Sequence, residues 1–442
     1  MMTKNEKIDW TGRVLRLRVE GPAQGGEFVA RHEGRVLFCR GGITGELVDV
    51  LVDDDPGKGF CRGTVRKVIE ASPDRIAPYC PAAAAGAGCC DWSHIRPESA
   101  REFSGRILAE QARRIGRIEL PGETVPVEVP AGDDATTRWR TVARWVTGPD
   151  GVPGVRRARS HELVTEACVQ SDQRILEAVL AARVGPGREV LGVLGDDGEV
   201  HVAHRASVDQ APRNRQRRSR QAAATRGRAR HARAGAWELV AGRTTVVRHV
   251  RDHTWQLPID AFWQAHRSAA GHYADLVATA VAGTPGLGDE PVVWDLYGGA
   301  GLFSAAVLDA APGARVTIVE SSTTSLGAVG SALGEAAGVN PVRARVEDFL
   351  GGPGDSGDLP GDPDVVILDP PRGGAGIDVM ERLAGRTASR IVHVGCDPAS
   401  LARDVGVLVA AGWTVADLHG VAAFPATHHV EGFAVLDSPR RT

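Results

Sequence analysis

The residues best equipped for chemistry in this chain stand at the ends of apolar runs in its last third. Cys396 closes RIVHVG and is followed by Asp397 and Pro398, a pair suited to cap and start a helix. A thiol at a helix N-terminus is expected to ionise more readily, and the thiolate is the reactive form. A lone cysteine after a strand is more often buried and inert; its neighbours argue otherwise. Asp369 ends VVIL, and Pro370 and Pro371 fix the loop that presents it. Glu431 precedes the apolar run GFAVL and is a candidate base. His428 and His429, read as neighbours on an extended segment, should point to opposite faces, which argues against a shared metal ion.

A cofactor loop accompanies these groups. In DLYGGAGLF, Asp295 ends a strand, and Gly298, Gly299 and Gly301 let the backbone turn sharply and approach a ligand. Glu320 ends the next strand, where an acid grips ribose hydroxyls. Asp348, in RVEDFL, follows a third strand and is placed to reach an adenine. Read plainly, these are a tight turn and solvated carboxylates. A NAD enzyme would more usually show G-x-G-x-x-G, whereas D-x-x-x-G-x-G with a terminal acid favours S-adenosyl-L-methionine, which has no pyrophosphate to cradle. A thiol, a base and a methyl donor together suit uracil. Its carbon 5 is a poor nucleophile until a thiolate adds to carbon 6, and a base must then remove the carbon 5 proton.

The elements that position these groups are legible in the hydrophobic pattern. From Pro258 onward, VVWDL, LFSAAVLDA, RVTIVE, PDVVILD, RIVHVGC and LARDVGVLVAAG alternate strand and helix. That alternation predicts an α/β fold with a Rossmann-like, mostly parallel sheet covered by helices on both faces. Residues 11–72 read as short strands (VLRLRV, GELVDVLV, CRGTVRKVI) between glycine-rich turns, hence a small all-β, OB-like barrel. SPDRIAPYC ends it. Residues 73–257 form a mixed α/β central domain, with a helix over PESAREFSGRILAEQARRIG and strands in TRWRTVARWV and WELVAG. Residues 258–442 form the catalytic domain.

Composition bounds the remaining choices. The chain has 442 residues, 43% hydrophobic and 24% charged, the balance of a globular protein long enough for two or three domains. No run approaches the ~18–20 apolar residues that span a bilayer, and the polar start MMTKNEKIDW is not a secretory signal. A cytoplasmic monomer without membrane contact is expected. The net charge of −3 conceals a block from Ala211 to Gly235 that carries nine arginines and no acid. It would attract phosphates or form a solvated insertion, and the two are compatible. Seven cysteines, an odd count, argue for free, metal-bound or catalytic thiols rather than a disulfide frame.

Taken in order, these motifs resemble those of the RNA uridine-5-methyltransferases that join a TRAM domain to a class I methyltransferase domain. The resemblance covers nearly the whole chain: Gly12–Pro78 looks like TRAM, Phe262-Trp263-Gln264 like the family's F-x-Q element, Asp369–Arg372 like DPPR, Cys396-Asp397-Pro398 like its cysteine motif, and Pro425–Glu431 like P-x-T-x-H-V-E. It implies transfer of a methyl group from S-adenosyl-L-methionine to carbon 5 of a uridine in rRNA or tRNA. Cys396 would be the nucleophile and Glu431 the base. Asp369 would hydrogen-bond the flipped uracil or lie beside the cofactor, and Phe262 would stack on the base. Gln264, Tyr297, Gly299, Gly301, Glu320 and Asp348 would line the cofactor pocket. Asp397 and His266 stand where the family usually has Asn. Many members also bind a 4Fe-4S cluster; Cys80, Cys90 and Cys168 fit that pattern, but Ala87 fills the first position of C-x-x-C and Cys89 sits beside Cys90. Either these four cysteines hold a cluster or they are free. Two readings compete with the main one: a non-catalytic RNA-binding protein with a degenerate methyltransferase fold, and a methyltransferase of a small molecule or protein.

Overall fold

Along β1 (Val14–Pro22), Leu15, Leu17 and Val19 are buried while Val14, Arg16 and Arg18 face water, the period of two that a half-buried strand requires. With β2 (Phe28–His32), β3 (Arg35–Arg40), β4 (Leu47–Asp54) and β5 (Phe60–Glu70) it closes into a barrel in the order β1-β2-β3-β5-β4. The computed structural model describes residues 9–439 apart from 58, 208–234, 335, 337, 352–360 and 387. The arginine block therefore lies, but for Gly235, outside the described residues. Cys39 and Cys61 pack inside the barrel, where burial pushes the Cys39 thiol up to about 12.

The helix Pro97–Arg114 fastens the barrel to the rest of the molecule. Pro97 opens it at a position where a missing N–H is harmless. Phe103 and Ile107 join the barrel core, while Leu108, Ala109 and Ala112, one turn on, join the core of the largest sheet. Between them β6 (Val127–Glu128), β7 (Val142–Thr147), β8 (Pro153–Arg156), β9 (Leu163–Val164), β10 (Arg188–Leu194), β11 (Val200–Ala206) and β12 (Glu238–Ala241) follow. All but β6 form a six-stranded sheet in the order β12-β11-β10-β7-β8-β9. The hairpin of β13 (Thr245–Val250) and β14 (His253–Pro258) sends Val250, Trp255 and Leu257 into the core of the largest sheet.

That sheet adds β15 (Val292–Leu296), β16 (Arg315–Glu320), β17 (Val339–Arg343), β18 (Val365–Leu368), β19 (Arg390–Gly395), β20 (Thr414–Val421) and β21 (Glu431–Asp437). Its eight strands run β17-β16-β15-β18-β19-β21-β20-β6. The first five are parallel, β21 is antiparallel to both β19 and β20, and β6 pairs with the edge of β20. Helices Ala269–Ala282 and Leu302–Ala310 cover one face. Pro97–Arg114, Ile377–Ala384 and Pro398–Ala410 cover the other. Among the described residues no helix is long and apolar enough to cross a membrane.

Candidate active site

Strand register brings the nucleophile and the base together. In the antiparallel pair β19/β21, Val394 faces Phe433 and Gly395 faces Gly432 on the last rung of the ladder, so Cys396, the next residue along, and Glu431, the first of β21, stand at the same end of the pair. Val293, Ile367, Val394 and Phe433 pack on the face covered by Ala269–Ala282, while Trp294, Leu368 and Ala434 pack on the other. Side chains alternate along a strand, so Asp295, Asp369, Cys396 and Glu431 all project toward the first face at the strand ends. Gly432 serves close approach: a Cβ there would lie 2.2 Å from Leu401 Cδ2, so glycine lets the helix that begins beside Cys396 press onto the sheet.

The electrostatics of this group correct one expectation. The Cys396 thiol is not eased into ionisation. Burial, and next the charge of Glu431, push it up to about 12 against the opposing pull of Arg372. The helix N-terminus is outweighed because the thiol is desolvated and faces acids. Glu431, 6% exposed, is pushed up to about 8 by burial and then by Asp369, with Arg372 opposing. Asp369 is only half-buried as a residue, yet desolvation, with Asp295 behind it, carries its carboxyl to about 7. Two carboxyls that exchange protons near neutrality thus border a thiol that needs a proton acceptor.

The loop carrying Asp369 is braced by the helix that follows Cys396. Ser400 Oγ donates to the Arg372 carbonyl at 2.9 Å, and Arg403 donates to the Gly373 carbonyl at 2.9 Å. Buried Asp404 accepts from Ala375 N at 2.7 Å and Gly376 N at 3.3 Å. Asp397 is the helix N-cap, accepting from Ser400 N at 2.9 Å, a task that Asp performs as well as Asn. Its other oxygen accepts from Gln24 of the barrel at 2.8 Å, a contact across 373 positions.

A second clasp holds the segment before Glu431. Asp91 accepts from His428 N at 3.2 Å and lies 2.6 Å from His428 Nδ1, while Trp92 N donates to the Ala426 carbonyl. This overturns the opposite-face reading of the histidine pair. The segment turns through Ala426, at φ +68°, and the two rings lie 4.1 Å apart. Gln24, Asp91 and Arg372 were not singled out from the sequence. Arg372 at least follows the two prolines; the other two carry no local signal.

The glycine loop is shaped for a ligand. Tyr297, Gly299 and Gly301 have φ of +61°, +57° and +81°, and a non-glycine residue held there stores strain of the kind found at ligand-binding turns. Nothing lies within 4 Å of a Cβ built on Gly299, so its backbone is open to close approach. Glu320 accepts from Gly299 N at 3.2 Å and from Ser322 N at 2.5 Å, which fixes its carboxylate beside the loop. Gln264 is half-buried, and Asp348 is exposed in the single turn Val346–Phe349. Phe262 is 71% exposed, an unusual state for a large apolar ring and one that suits a stacking partner. His266 is buried instead against Trp139, with ring centroids 5.4 Å apart. We expect Glu320→Ala to weaken S-adenosylmethionine binding roughly tenfold to hundredfold, the cost of losing charged hydrogen bonds. Calorimetry giving unchanged affinity would remove Glu320 from the cofactor site.

The cysteines converge as well. The sulfurs of Cys80, Cys90 and Cys168 lie within 4.8 Å of one another, and Cys89 Sγ is 4.0 Å from Cys168 Sγ. Hydrogen bonds from Cys168, Cys89 and Cys90 push the Cys80 thiol down. An all-thiol donor set of this kind fits a soft metal centre. The half-buried cation Arg140 faces Cys168, Cys89 and Cys90, which suits a negatively charged thiolate group. Both members of the adjacent pair Cys89-Cys90 thus lie at this group of thiols.

A glycine-rich turn, a thiol and two acids at the strand ends of an open α/β sheet with a fused barrel point to a class of enzyme, and comparison with known proteins agrees. Residues 10–65 match the TRAM domain model. A Corynebacterium glutamicum RNA methyltransferase is 39% identical, with 96% of this chain and 97% of that protein covered. A 23S rRNA (uracil(1939)-C(5))-methyltransferase of Halomonas elongata is 30% identical, with 96% and 89% covered. The crystal structure of Pyrococcus abyssi tRNA (uracil-54, C5)-methyltransferase with S-adenosyl-L-homocysteine superposes with a TM-score of 0.65 at 18% identity, over 95% of this chain and 99% of that one, a likeness of fold. The chain belongs to the TRAM-bearing, S-adenosylmethionine-dependent RNA methyltransferases.

Proposed function

We propose that this enzyme methylates carbon 5 of a uridine in ribosomal or transfer RNA through a covalent adduct on Cys396. The observation that carries the reading is that Cys396 and Glu431 stand at one end of the β19/β21 pair, with the charges of Glu431 and Asp369 acting on the thiol. The name of the Halomonas relative supports the same position on uracil. A uridine extruded from its stack would rest on exposed Phe262. The Cys396 thiol passes its proton to a neighbouring carboxylate and adds to carbon 6, and the electron pair of the carbon 5–carbon 6 bond moves toward carbon 5 and the carbon 4 carbonyl. Gln264, Tyr297, Gly299, Gly301, Glu320 and Asp348 would hold S-adenosylmethionine, which would supply an electrophilic methyl group to carbon 5 and leave as S-adenosylhomocysteine. Glu431 then takes the carbon 5 proton, the double bond re-forms, and the Cys396 sulfur leaves. Mass-spectrometric mapping of 5-methyluridine in rRNA and tRNA from cells with and without the gene tests the reading and separates the two RNA classes. Identical maps would overturn it.

We further propose that Cys80, Cys89, Cys90 and Cys168 hold a 4Fe-4S cluster. Its place here is structural, because the loop bearing Cys89 and Cys90 continues into Asp91, which holds His428. Anaerobically purified protein should contain iron and sulfide. Zinc in their place, or neither after reconstitution under reducing conditions, would overturn the assignment.

A further inference from the structure

The helix Ala269–Ala282 lies over the face on which Cys396, Asp369 and Glu431 project, and it carries one polar side chain into that layer. Tyr273 is 1% exposed and packs in the same core cluster as Val394 and Phe433, the residues two before Cys396 and two after Glu431. Its hydroxyl is buried and has no hydrogen-bond partner. A buried hydroxyl left unpaired is unfavourable, and phenylalanine would fill the same space without that cost. Such an orphan donor, next to groups that change charge during a reaction, marks a hydrogen bond made in only one protonation state.

We propose that Tyr273 is a positioning residue for the base: its hydroxyl donates to the Glu431 carboxylate once Glu431 has lost its proton. The inference rests on the reading of Glu431 as the group that accepts the carbon 5 proton. Several observations select this role. The hydroxyl is buried away from solvent, so its effect on the reaction passes through a neighbour. Of the reactive groups, Glu431 bears on the phenol most strongly, ahead of Asp369 and Cys396. Burial holds the phenol far above its ordinary range, so Tyr273 remains a donor at every working pH. The groups facing Glu431 are Asp369 at the end of β18, Arg372 on the loop beyond it, Cys396 at the end of β19 and Tyr273 on the helix. Asp369 favours the neutral acid and Arg372 the carboxylate. Paired with the carboxylate, the phenol would steady the base in the form that accepts a proton.

The test is Tyr273→Phe in the full-length enzyme, assayed by single-turnover methylation of a uridine-containing RNA across pH 6–9. The variant should melt at or above the wild-type temperature, because it loses an unpaired hydroxyl and no contact. KM for RNA and for S-adenosylmethionine should be unchanged, while the rate near pH 7 falls roughly tenfold and the rising limb of the profile moves up by about one pH unit, restoring much of the rate at pH 9. A profile superimposable on that of wild type would overturn the proposal, as would a uniform loss at every pH. Tyr273→Met removes the same hydroxyl and carries the test if the Phe variant does not fold. Failure of the wild type itself to methylate uridine would instead overturn the functional reading beneath it, so the two failures are distinguishable.

Discussion

Glu431→Gln is expected to trap the enzyme on its RNA as a covalent complex, whereas Cys396→Ala should form none, although both lose turnover. The two side chains stand at the same end of the β19/β21 pair but act at different carbons and at different times. Without the Cys396 sulfur no bond to carbon 6 can form, carbon 5 stays unreactive, and methylation should fall to background. With an amide in place of the Glu431 carboxyl, the thiol still adds and the methyl still arrives, but the carbon 5 proton has no acceptor and the sulfur cannot leave. General-base removal typically costs about 10²–10⁴-fold in rate. RNA containing 5-fluorouridine should trap the wild type in the same way, since fluorine does not depart as a cation. A denaturing gel reads the outcome: a shifted band with Cys396→Ala, or none with wild type on fluorinated RNA, removes Cys396 as the nucleophile.

The second large effect is a trade between function and stability that depends on pH. Glu431, with an ordinary value of 4.5, is held near 8 in the folded protein, chiefly by burial. Between those values the unfolded chain has released the proton and the folded chain has not. The folded state therefore binds more protons, and stability falls as pH rises through that window. Glu431→Gln removes this liability, so the inactive variant should be more stable than wild type by ~1–3 kcal/mol at pH 8, with the gain vanishing toward pH 4.5. Thermal melts of both proteins from pH 4.5 to 8.5 decide it; a variant less stable at pH 8 would show that Glu431 is held by compensating contacts. The same protonation predicts that wild-type methylation accelerates between pH 6 and 8 as the base form fills.

Much of the architecture was legible before any coordinates. The strand and helix alternation after Pro258, the turn at Gly298–Gly301, the capping of a helix by Asp397 and the barrel's alternating strands are local properties, written in periods of 2.0 and 3.6 and in the few residues that tolerate special backbone geometry. The candidates Cys396, Asp369, Glu431 and Glu320 were found because each stands at the end of such a run, and strand ends of an open α/β sheet meet at one edge. The cysteine group came from the family resemblance, and spacing alone did not say that the sulfurs of Cys80, Cys90 and Cys168 would converge.

What only the tertiary structure decided is which of these ends touch and what charge they carry there. Cys396 and Glu431 become neighbours through an antiparallel pairing, which no periodicity announces. Two residues at β6, far upstream, complete the edge of the catalytic sheet because the edge of β20 leaves backbone groups to be paired. Gln24 and Asp91 reach the site by long-range hydrogen bonds from the barrel and the cysteine loop. The thiol that a helix N-terminus alone would make acidic is made less so by desolvation and by the acids across from it. Proton affinity depends on the solvent excluded and the charges gathered around a group, and both are set by residues distant in the chain, whereas strand, turn and cap are set by residues next to one another.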